Sequence, residues 1–144
     1  MLAALLWDVD GTLAETERDG HRVAFNRAFA EWGLPWHWDV ARYGRLLRVT
    51  GGCERLLAAM AEEADAPVRP AEREALARAL HRLKNRCYVE RIEAGAIRLR
   101  PGVAALIHEA AANGLRQAVV TTTSRGNVEA LLGSLLGTGW ARRF

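Results

Sequence analysis

The chain opens with MLAALLW at residues 1–7 and continues with Asp8-Val9-Asp10-Gly11-Thr12-Leu13. A short apolar run of this kind predicts a strand buried on both faces, as in a parallel sheet. Residues two apart leave a strand in the same direction, so Asp8 and Asp10 are placed to face one site at its carboxyl end. Gly11 then allows the chain to turn sharply. This stretch predicts an α/β fold with a polar site at the end of its first strand.

Paired carboxylates suit phosphoryl transfer through an aspartate. One carboxylate can attack phosphorus and form an aspartyl-phosphate. The other can protonate the leaving oxygen and later deprotonate a water molecule. Two anions that face an anionic substrate need a cation, and Mg²⁺ prefers oxygen ligands and bridges to phosphate. The alternative is that Asp8 and Asp10 only form a turn at the strand end.

A second polar segment, Thr121-Thr122-Thr123-Ser124, ends a second predicted strand at residues 117–121 and opens a helix. Ser is a common helix cap. Hydroxyls and backbone N–H groups at a helix N-terminus form a natural seat for phosphate. Thr is also common in strands, so this segment alone is a weak indication of a phosphate site. Together with the paired aspartates it becomes a strong one.

The region between the two strands has helical periodicity. Thr16 with Asp19 resembles a capping box, Asp39 can cap a second helix, and the longest helix is predicted from about residue 71 to residue 92. The first helix carries a predicted core face of Phe25, Ala28, Phe29 and Trp32. We interpret Trp36 and Trp38 as packing residues rather than as a stacking platform.

Strand, helical crossover and strand together predict a βαβ unit in a doubly wound α/β fold with a parallel sheet and an inserted all-helical cap. We divide the chain into an α/β core at residues 1–14 and 96–144 and a helical cap at residues 15–95.

Composition restricts the class of protein. With 144 residues, half of them hydrophobic, the chain is long enough to bury a core. The net charge of +3 fits an Arg-rich soluble surface, and the alternative is a preference for anionic substrates. No basic block or zinc-finger pattern indicates a nucleic-acid partner, and no apolar run is long enough to cross a membrane. We expect Cys53 and Cys87 to be reduced thiols in a cytoplasmic protein.

The stretch from Asp8 to Thr12 resembles the first motif, DxDGT, of the haloacid dehalogenase superfamily. The resemblance implies that Asp8 is the nucleophile, that Asp10 is the general acid/base, and that the Asp8 carboxylate and the Asp10 backbone carbonyl hold Mg²⁺. The segment at residues 121–124 resembles the second motif of that superfamily. It implies that Thr122 binds the transferring phosphate, together with Thr123 and Gly11, and Thr121 is the competing choice for Thr122.

A narrower resemblance is to the CbbY-type branch, whose members dephosphorylate sugar phosphates, notably xylulose-1,5-bisphosphate, an inhibitor of Rubisco. It rests on Leu47-Arg48-Val49-Thr50-Gly51-Gly52 with Glu54-Arg55, on Lys84, and on Arg98-Leu99-Arg100-Pro101-Gly102-Val103. The resemblance implies a Mg²⁺-dependent phosphatase of small sugar phosphates. Its implied substrate-binding residues in the cap are Glu17, His21, Tyr43, Arg48, Gly51, Gly52 and Lys84. Cys53 stands where the branch usually has Lys, which leaves the exact substrate open.

Structural alternatives exist for several of these cap residues. Lys84 can be an ordinary lysine that lies along an apolar stripe with its charge in solvent. Arg48 can be a solvated surface arginine. Glu17 and His21, four residues apart, can form an exposed pair.

The superfamily has two later motifs, a Lys that neutralises the aspartyl-phosphate and an acidic pair that completes the Mg²⁺ site, and neither is found by residue 144. We therefore expect the amino-terminal part of an enzyme, with a core truncated at the C-terminus, weakly active at best alone and monomeric when complete. The alternative functions are a phosphosugar mutase of the beta-phosphoglucomutase type and a non-catalytic binding module with the same fold.

Overall fold

The computed structural model describes residues 2–144 and divides the chain into two compact units. The sheet unit comprises Met1–Gly20 and Arg91–Phe144, and the helical unit comprises His21–Glu90. The boundaries between the units along the chain fall at residues 20/21 and 90/91, whereas the sequence predicts boundaries at 14/15 and 95/96.

The order of the elements is that of a βαβ unit with a long helical crossover. In chain order they are β1 (Ala4–Trp7), a π-helical turn (Glu17–His21), α1 (Arg22–Trp32), α2 (Val40–Leu46), α3 (Gly52–Ala59), α4 (Pro70–Glu93), α5 (Val103–Ala112), β2 (Arg116–Val119), α6 (Arg125–Leu136) and a 3₁₀ turn (Trp140–Arg143). The strands β1 and β2 pair in parallel, which confirms the predicted crossover and parallel sheet.

One face of the sheet is closed by α5. Leu5 pairs with Gln117 and Trp7 with Val119, and Trp7 and Gln117 are both buried. The Trp7 indole Nε1 donates to the Gln117 amide oxygen at 2.9 Å. The Gln117 amide Nε2 donates in turn to the Ile107 carbonyl in α5 at 3.1 Å. A buried polar side chain is therefore fully engaged at the point where α5 meets the strands.

The predicted burial of the first strand on both faces is wrong for its second face. Leu6 is 71% exposed and Leu2 is 61% exposed. Val120, just beyond β2, is 56% exposed. Successive side chains of a strand point to opposite faces, and the contact from Gln117 to α5 lies on the other face. Met1, the first residue of the apolar run, lies outside the described residues.

The helical unit has an aromatic core. Trp36 and Trp38 are buried, which confirms their interpretation as packing residues. Trp32, predicted on the core face of α1, is 48% exposed because it is the last residue of that helix, which Gly33 ends in a left-handed conformation. The core consists of Phe25, Phe29, Trp36, Trp38, Tyr43, Leu46, Leu56, Ala59, Met60, Ala77 and Leu80.

Helix caps follow the local sequence signals at two of three predicted places. The Asp39 carboxylate accepts from the Arg42 amide at 2.6 Å, and the Ser124 hydroxyl accepts from the Asn127 amide at 3.4 Å. The capping box predicted at Thr16 does not hold, since that hydroxyl donates to Asp10 and a π-helical turn follows. Among the described residues, none of the helices combines the length and the apolar character that crossing a membrane requires.

Candidate active site

The carboxyl ends of β1 and β2 form one edge of the sheet. Trp7 pairs with Val119, and the Val120 amide donates to the Trp7 carbonyl at 2.8 Å, which extends the pairing by one step. Asp8 therefore leaves β1 at the same edge at which residues 121–124 leave β2. In open α/β sheets this is the edge where ligands bind.

The turn after Asp8 is anchored by buried residues on both sides of Gly11. Val9 and Leu13 are fully buried. The Val9 carbonyl accepts from the Thr12 and Leu13 amides at 3.2 and 3.0 Å. Gly11 has a φ of +74°, a conformation that favours glycine because it has no Cβ. These contacts explain why the motif places apolar residues and a glycine between and after its two acids.

Each of the two carboxylates receives a hydroxyl from its own loop. The Thr12 hydroxyl donates to Asp8 Oδ2 at 3.4 Å, and Asp8 is exposed. The Thr16 hydroxyl donates to Asp10 Oδ1 at 2.5 Å, and Thr16 is completely buried. Asp8 is thus accessible to a substrate, whereas Asp10 is held by a buried partner. Thr16, predicted as part of a helix cap, is therefore a neighbour of the site instead.

The second polar segment forms the turn that opens α6. The Thr121 hydroxyl accepts from the Thr123 amide at 3.3 Å, and the Thr123 hydroxyl accepts from the Asn127 side-chain amide at 3.4 Å. Thr122 is exposed, whereas Thr121 and Thr123 are half-buried. The segment therefore presents hydroxyls and a helix N-terminus, which suit an anion, at the edge that also carries Asp8.

The donor atoms at this edge are oxygens, the type of ligand that Mg²⁺ prefers. The residues offered are the exposed Asp8 carboxylate and the backbone carbonyl of Asp10, both hard oxygen donors. Mg²⁺ is commonly bound through one or two carboxylates, with phosphate oxygens and water completing its shell. Within residues 2–144 no three His, Cys, Asp or Glu side chains are grouped so that they could hold a metal. An all-protein cage is therefore absent from the described part of the chain.

Two predicted cap residues lie in contact within the helical unit. Lys84 is 4% exposed, and its Nζ lies 2.9 Å from His21 Nδ1. It also lies over the rings of Phe25 and Tyr88, at 5.0 and 5.3 Å from their centroids. A lysine ammonium only donates, so His21 Nδ1 can accept from it only in the neutral tautomer that carries the ring proton on Nε2. The alternative of a lysine with its charge in solvent is wrong because the amine is buried.

Tyr43 lies in the core of the helical unit, where it is 2% exposed. Its hydroxyl accepts from the Arg55 guanidinium at 3.4 Å. Arg55, also buried, donates to the carbonyls of Leu46 and Val49 at 3.2 Å each. It thereby ties α3 to the end of α2. Arg55 belongs to the motif at residues 47–55, but nothing in the spacing of that motif predicts its burial.

The loop before α3 carries the remaining candidates of the helical unit. Arg48 is exposed, and Gly51 caps α3 with a φ of +93°. A Cβ on Gly52 would lie 2.5 Å from Nε2 of His81, so His81 packs directly on this glycine. In the sheet unit, Glu17 is half-buried in the π-helical turn.

The surroundings of His81 predict that the stability of the helical unit depends on pH. Burial and then the nearby Lys84 lower the pKa of His81, and Glu54 partly opposes them. An unfolded histidine has a pKa of about 6.5. Below that pH His81 is protonated in the unfolded chain, whereas in the folded unit it stays neutral to a lower pH. The stabilisation is therefore complete above about pH 6.5 and is lost as the pH falls through the folded pKa.

We expect the urea midpoint of unfolding to be lower at about pH 5.5 than at about pH 7.5. His81→Gln should flatten this dependence, because glutamine does not titrate. His37→Gln, which replaces an exposed histidine of the same unit, should leave it unchanged. An equal pH dependence in the unmodified chain and in His81→Gln would contradict the assignment.

Comparison with known proteins supplies the family. The family model described as "haloacid dehalogenase-like hydrolase" matches residues 2–143. The chain belongs to the haloacid dehalogenase-like hydrolases. The predicted membership of this superfamily is thus confirmed, together with the α/β fold that it implies.

Within this hydrolase family the chain is similar to CbbY proteins. It is 48% identical over 143 residues to the plasmid-encoded protein CbbY of Cupriavidus necator, a match that covers 99% of this chain and 56% of that protein. The crystal structure of CbbY from Rhodobacter sphaeroides in complex with phosphate has a TM-score of 0.88 at 44% identity, and the match covers 100% of this chain and 61% of that one.

A mutant of the Rhodobacter sphaeroides CbbY has been crystallised in complex with xylulose-(1,5)bisphosphate. Its TM-score to this hydrolase chain is 0.84 at 44% identity, with 100% of this chain and 61% of that chain covered. The chain therefore spans about half the length of the curated relative and about three fifths of the solved structures that it matches.

Proposed function

We propose that this chain carries the nucleophile of a Mg²⁺-dependent phosphatase that acts on small sugar phosphates. The observation that carries the proposal is the exposed Asp8 at the sheet edge shared with the hydroxyl-rich N-terminus of α6. The similarity to CbbY proteins supports it, since one of them binds phosphate and a mutant of it binds xylulose-(1,5)bisphosphate.

In the first chemical step a carboxylate oxygen of Asp8 attacks the phosphorus of the substrate. The new bond joins that oxygen to phosphorus, and the bond from phosphorus to the sugar oxygen breaks. Asp10 enters this step protonated and gives its proton to the leaving oxygen. The sugar leaves with a hydroxyl group, and Asp8 remains as an aspartyl-phosphate.

In the second step Asp10, now a carboxylate, takes a proton from a water molecule. The water oxygen bonds to phosphorus, the bond to Asp8 breaks, and inorganic phosphate leaves. The Thr16 hydroxyl donates to Asp10 Oδ1, so it holds this carboxyl in one orientation throughout both steps. Asp8 and Asp10 are regenerated in their starting protonation states.

The phosphate that is transferred is held in this proposal by the exposed Thr122, by Thr123 and by Gly11. Donors that are fixed before the reaction stabilise developing negative charge without reorganising. Mg²⁺, held by the Asp8 carboxylate and the Asp10 backbone carbonyl, would supply positive charge that offsets the charge on the phosphate oxygens.

The helical unit, in this proposal, is the cap that recognises the sugar. Lys84 lies beside His21 and over the Phe25 ring, and in this proposal it supplies a positive charge. Arg48 is exposed, and its guanidinium fork suits a second phosphate of the substrate. Glu17, Tyr43, Gly51 and Gly52 complete the proposed set, with Tyr43 held by Arg55.

The substrate proposed is xylulose-1,5-bisphosphate, and the setting proposed is a cytoplasmic enzyme that acts as a monomer. The free thiols of Cys53 and Cys87 agree with a reducing compartment.

The proposal is tested by incubating the full gene product that carries this chain with xylulose-1,5-bisphosphate and Mg²⁺ and measuring free phosphate. We expect one phosphate to be released, and we expect EDTA to stop its release until excess Mg²⁺ is added back. An isomeric phosphosugar without free phosphate would favour a mutase instead. If the bisphosphate binds but neither product forms, a binding module explains the protein better.

A further inference from the structure

Arg100 contacts the loop that carries Asp10 through both its backbone and its side chain. Its amide donates to the Leu13 carbonyl at 2.9 Å, and its guanidinium donates to the Gly11 carbonyl. Next to it, Leu99 forms an antiparallel bridge with Ala14. Residues 99–100 therefore run beside residues 13–14, and the Arg100 side chain reaches back to the glycine of the motif.

Gly11 is the residue of this loop whose backbone conformation depends most on contacts with other residues. Glycine populates positive φ about as readily as negative φ, so its conformation is not restricted by a side chain. The Gly11 amide donates to the Ala14 carbonyl at 2.9 Å. Its carbonyl accepts from Arg100. The peptide group before this glycine is held by Ala14, and the peptide group after it is held by Val9 at the Thr12 amide and by Arg100 at the Gly11 carbonyl.

We infer that Arg100 positions Asp10 and that it does so through its hydrogen bond to the Gly11 carbonyl. The inference rests on the proposed function, in which Asp10 is the acid and base. Gly11 lies in the chain between Asp10 and Thr16. A change in the backbone dihedral angles of Gly11 therefore moves the Asp10 carboxyl relative to the buried Thr16 hydroxyl, which donates to it at 2.5 Å. A charge-assisted bond to the carbonyl restrains that rotation.

The chain offers a matched control. Arg98 has the same charge, lies two residues away and is exposed, as Arg100 is. Arg98→Gln and Arg100→Gln therefore remove the same charge from the same segment, and only the second also removes the donor to Gly11. Arg100→Lys retains a positive donor without the planar fork.

The kinetic test compares Arg100→Gln, Arg100→Lys and Arg98→Gln in the release of phosphate from xylulose-1,5-bisphosphate. We expect kcat to fall about tenfold in Arg100→Gln while KM changes less than about twofold. Arg100→Lys should recover part of kcat, and Arg98→Gln should resemble the unmodified protein. Equal kcat values in Arg100→Gln and Arg98→Gln would overturn the inference.

A second measurement does not depend on turnover, so it separates this inference from the proposed function. Backbone ¹⁵N relaxation should give the Gly11 and Thr12 amides order parameters of about 0.85 in the unmodified chain and nearer 0.6 in Arg100→Gln. Arg98→Gln should keep the higher value. If Arg100→Gln only lowers the unfolding temperature and leaves these order parameters unchanged, Arg100 is structural and the inference is wrong. A full gene product without phosphatase activity would refute the proposed function, yet this comparison would still report on the loop.

Discussion

Asp8→Asn is expected to lower phosphate release by at least about a thousandfold, because an amide cannot replace the carboxylate as nucleophile. The fold should be unaffected. Asp8 is exposed, and the Thr12 hydroxyl that contacts it at 3.4 Å can donate equally to an amide oxygen. We would measure turnover of xylulose-1,5-bisphosphate together with the unfolding temperature of both proteins.

The matched control is Asp65→Asn, which removes an exposed carboxylate between α3 and α4. It should leave turnover unchanged. Covalent trapping adds a direct readout, because a beryllium fluoride complex that mimics the aspartyl-phosphate should form in the unmodified chain and not in Asp8→Asn. Turnover that persists in Asp8→Asn, or a mimic that binds both proteins equally, would exclude the proposed covalent mechanism.

Trp38→Ala is expected to destabilise the helical unit by about 3–5 kcal/mol, the usual cost of removing a fully buried aromatic side chain. Trp38 has no exposed surface and lies in the middle of the aromatic core. Its ring lies 4.8 Å from that of Phe25, 4.9 Å from that of Phe29 and 6.0 Å from that of Tyr43. Because domains are stable by only about 5–15 kcal/mol, the loss should be visible as a large fall in the urea midpoint.

Two further variants make this result specific. Trp38→Phe should cost only about 1 kcal/mol, because it keeps an aromatic ring and removes an indole N–H that has no hydrogen-bond partner in the described part of the chain. Trp32→Ala, at the half-exposed end of α1, should change the midpoint little. A Trp38→Ala protein as stable as Trp32→Ala would contradict this account of the core.

Most signals that lie close together in the sequence predict the local structure correctly, and the capping box at Thr16 is an exception. The apolar run before Asp8 predicts β1, Asp39 and Ser124 predict the starts of α2 and α6, and Gly33 ends α1. Each of these depends on backbone groups within a few residues, so the local amino-acid types are sufficient. The motif turn at Gly11 belongs to the same class.

The partners of polar side chains were not predictable where they lie outside the same helical turn. Thr16 resembles a cap for the helix that follows it, yet its hydroxyl donates to Asp10 because the turn at Gly11 brings the two together. Lys84 in α4 and His21, directly before α1, are 63 positions apart and are brought together by packing within the helical unit. Their individual residue types fit a surface equally well.

What the sequence by itself determined is the chemistry available at the first strand: two acids, a glycine and hydroxyls, in an order that a sheet edge can use. Only the tertiary structure decided which partners these groups have, as with Arg100, 89 positions from the Gly11 carbonyl that it contacts. The physical reason is that residue type and spacing specify local backbone geometry. The partner of a buried or pivotal polar group is specified by packing, which brings remote parts of the chain together.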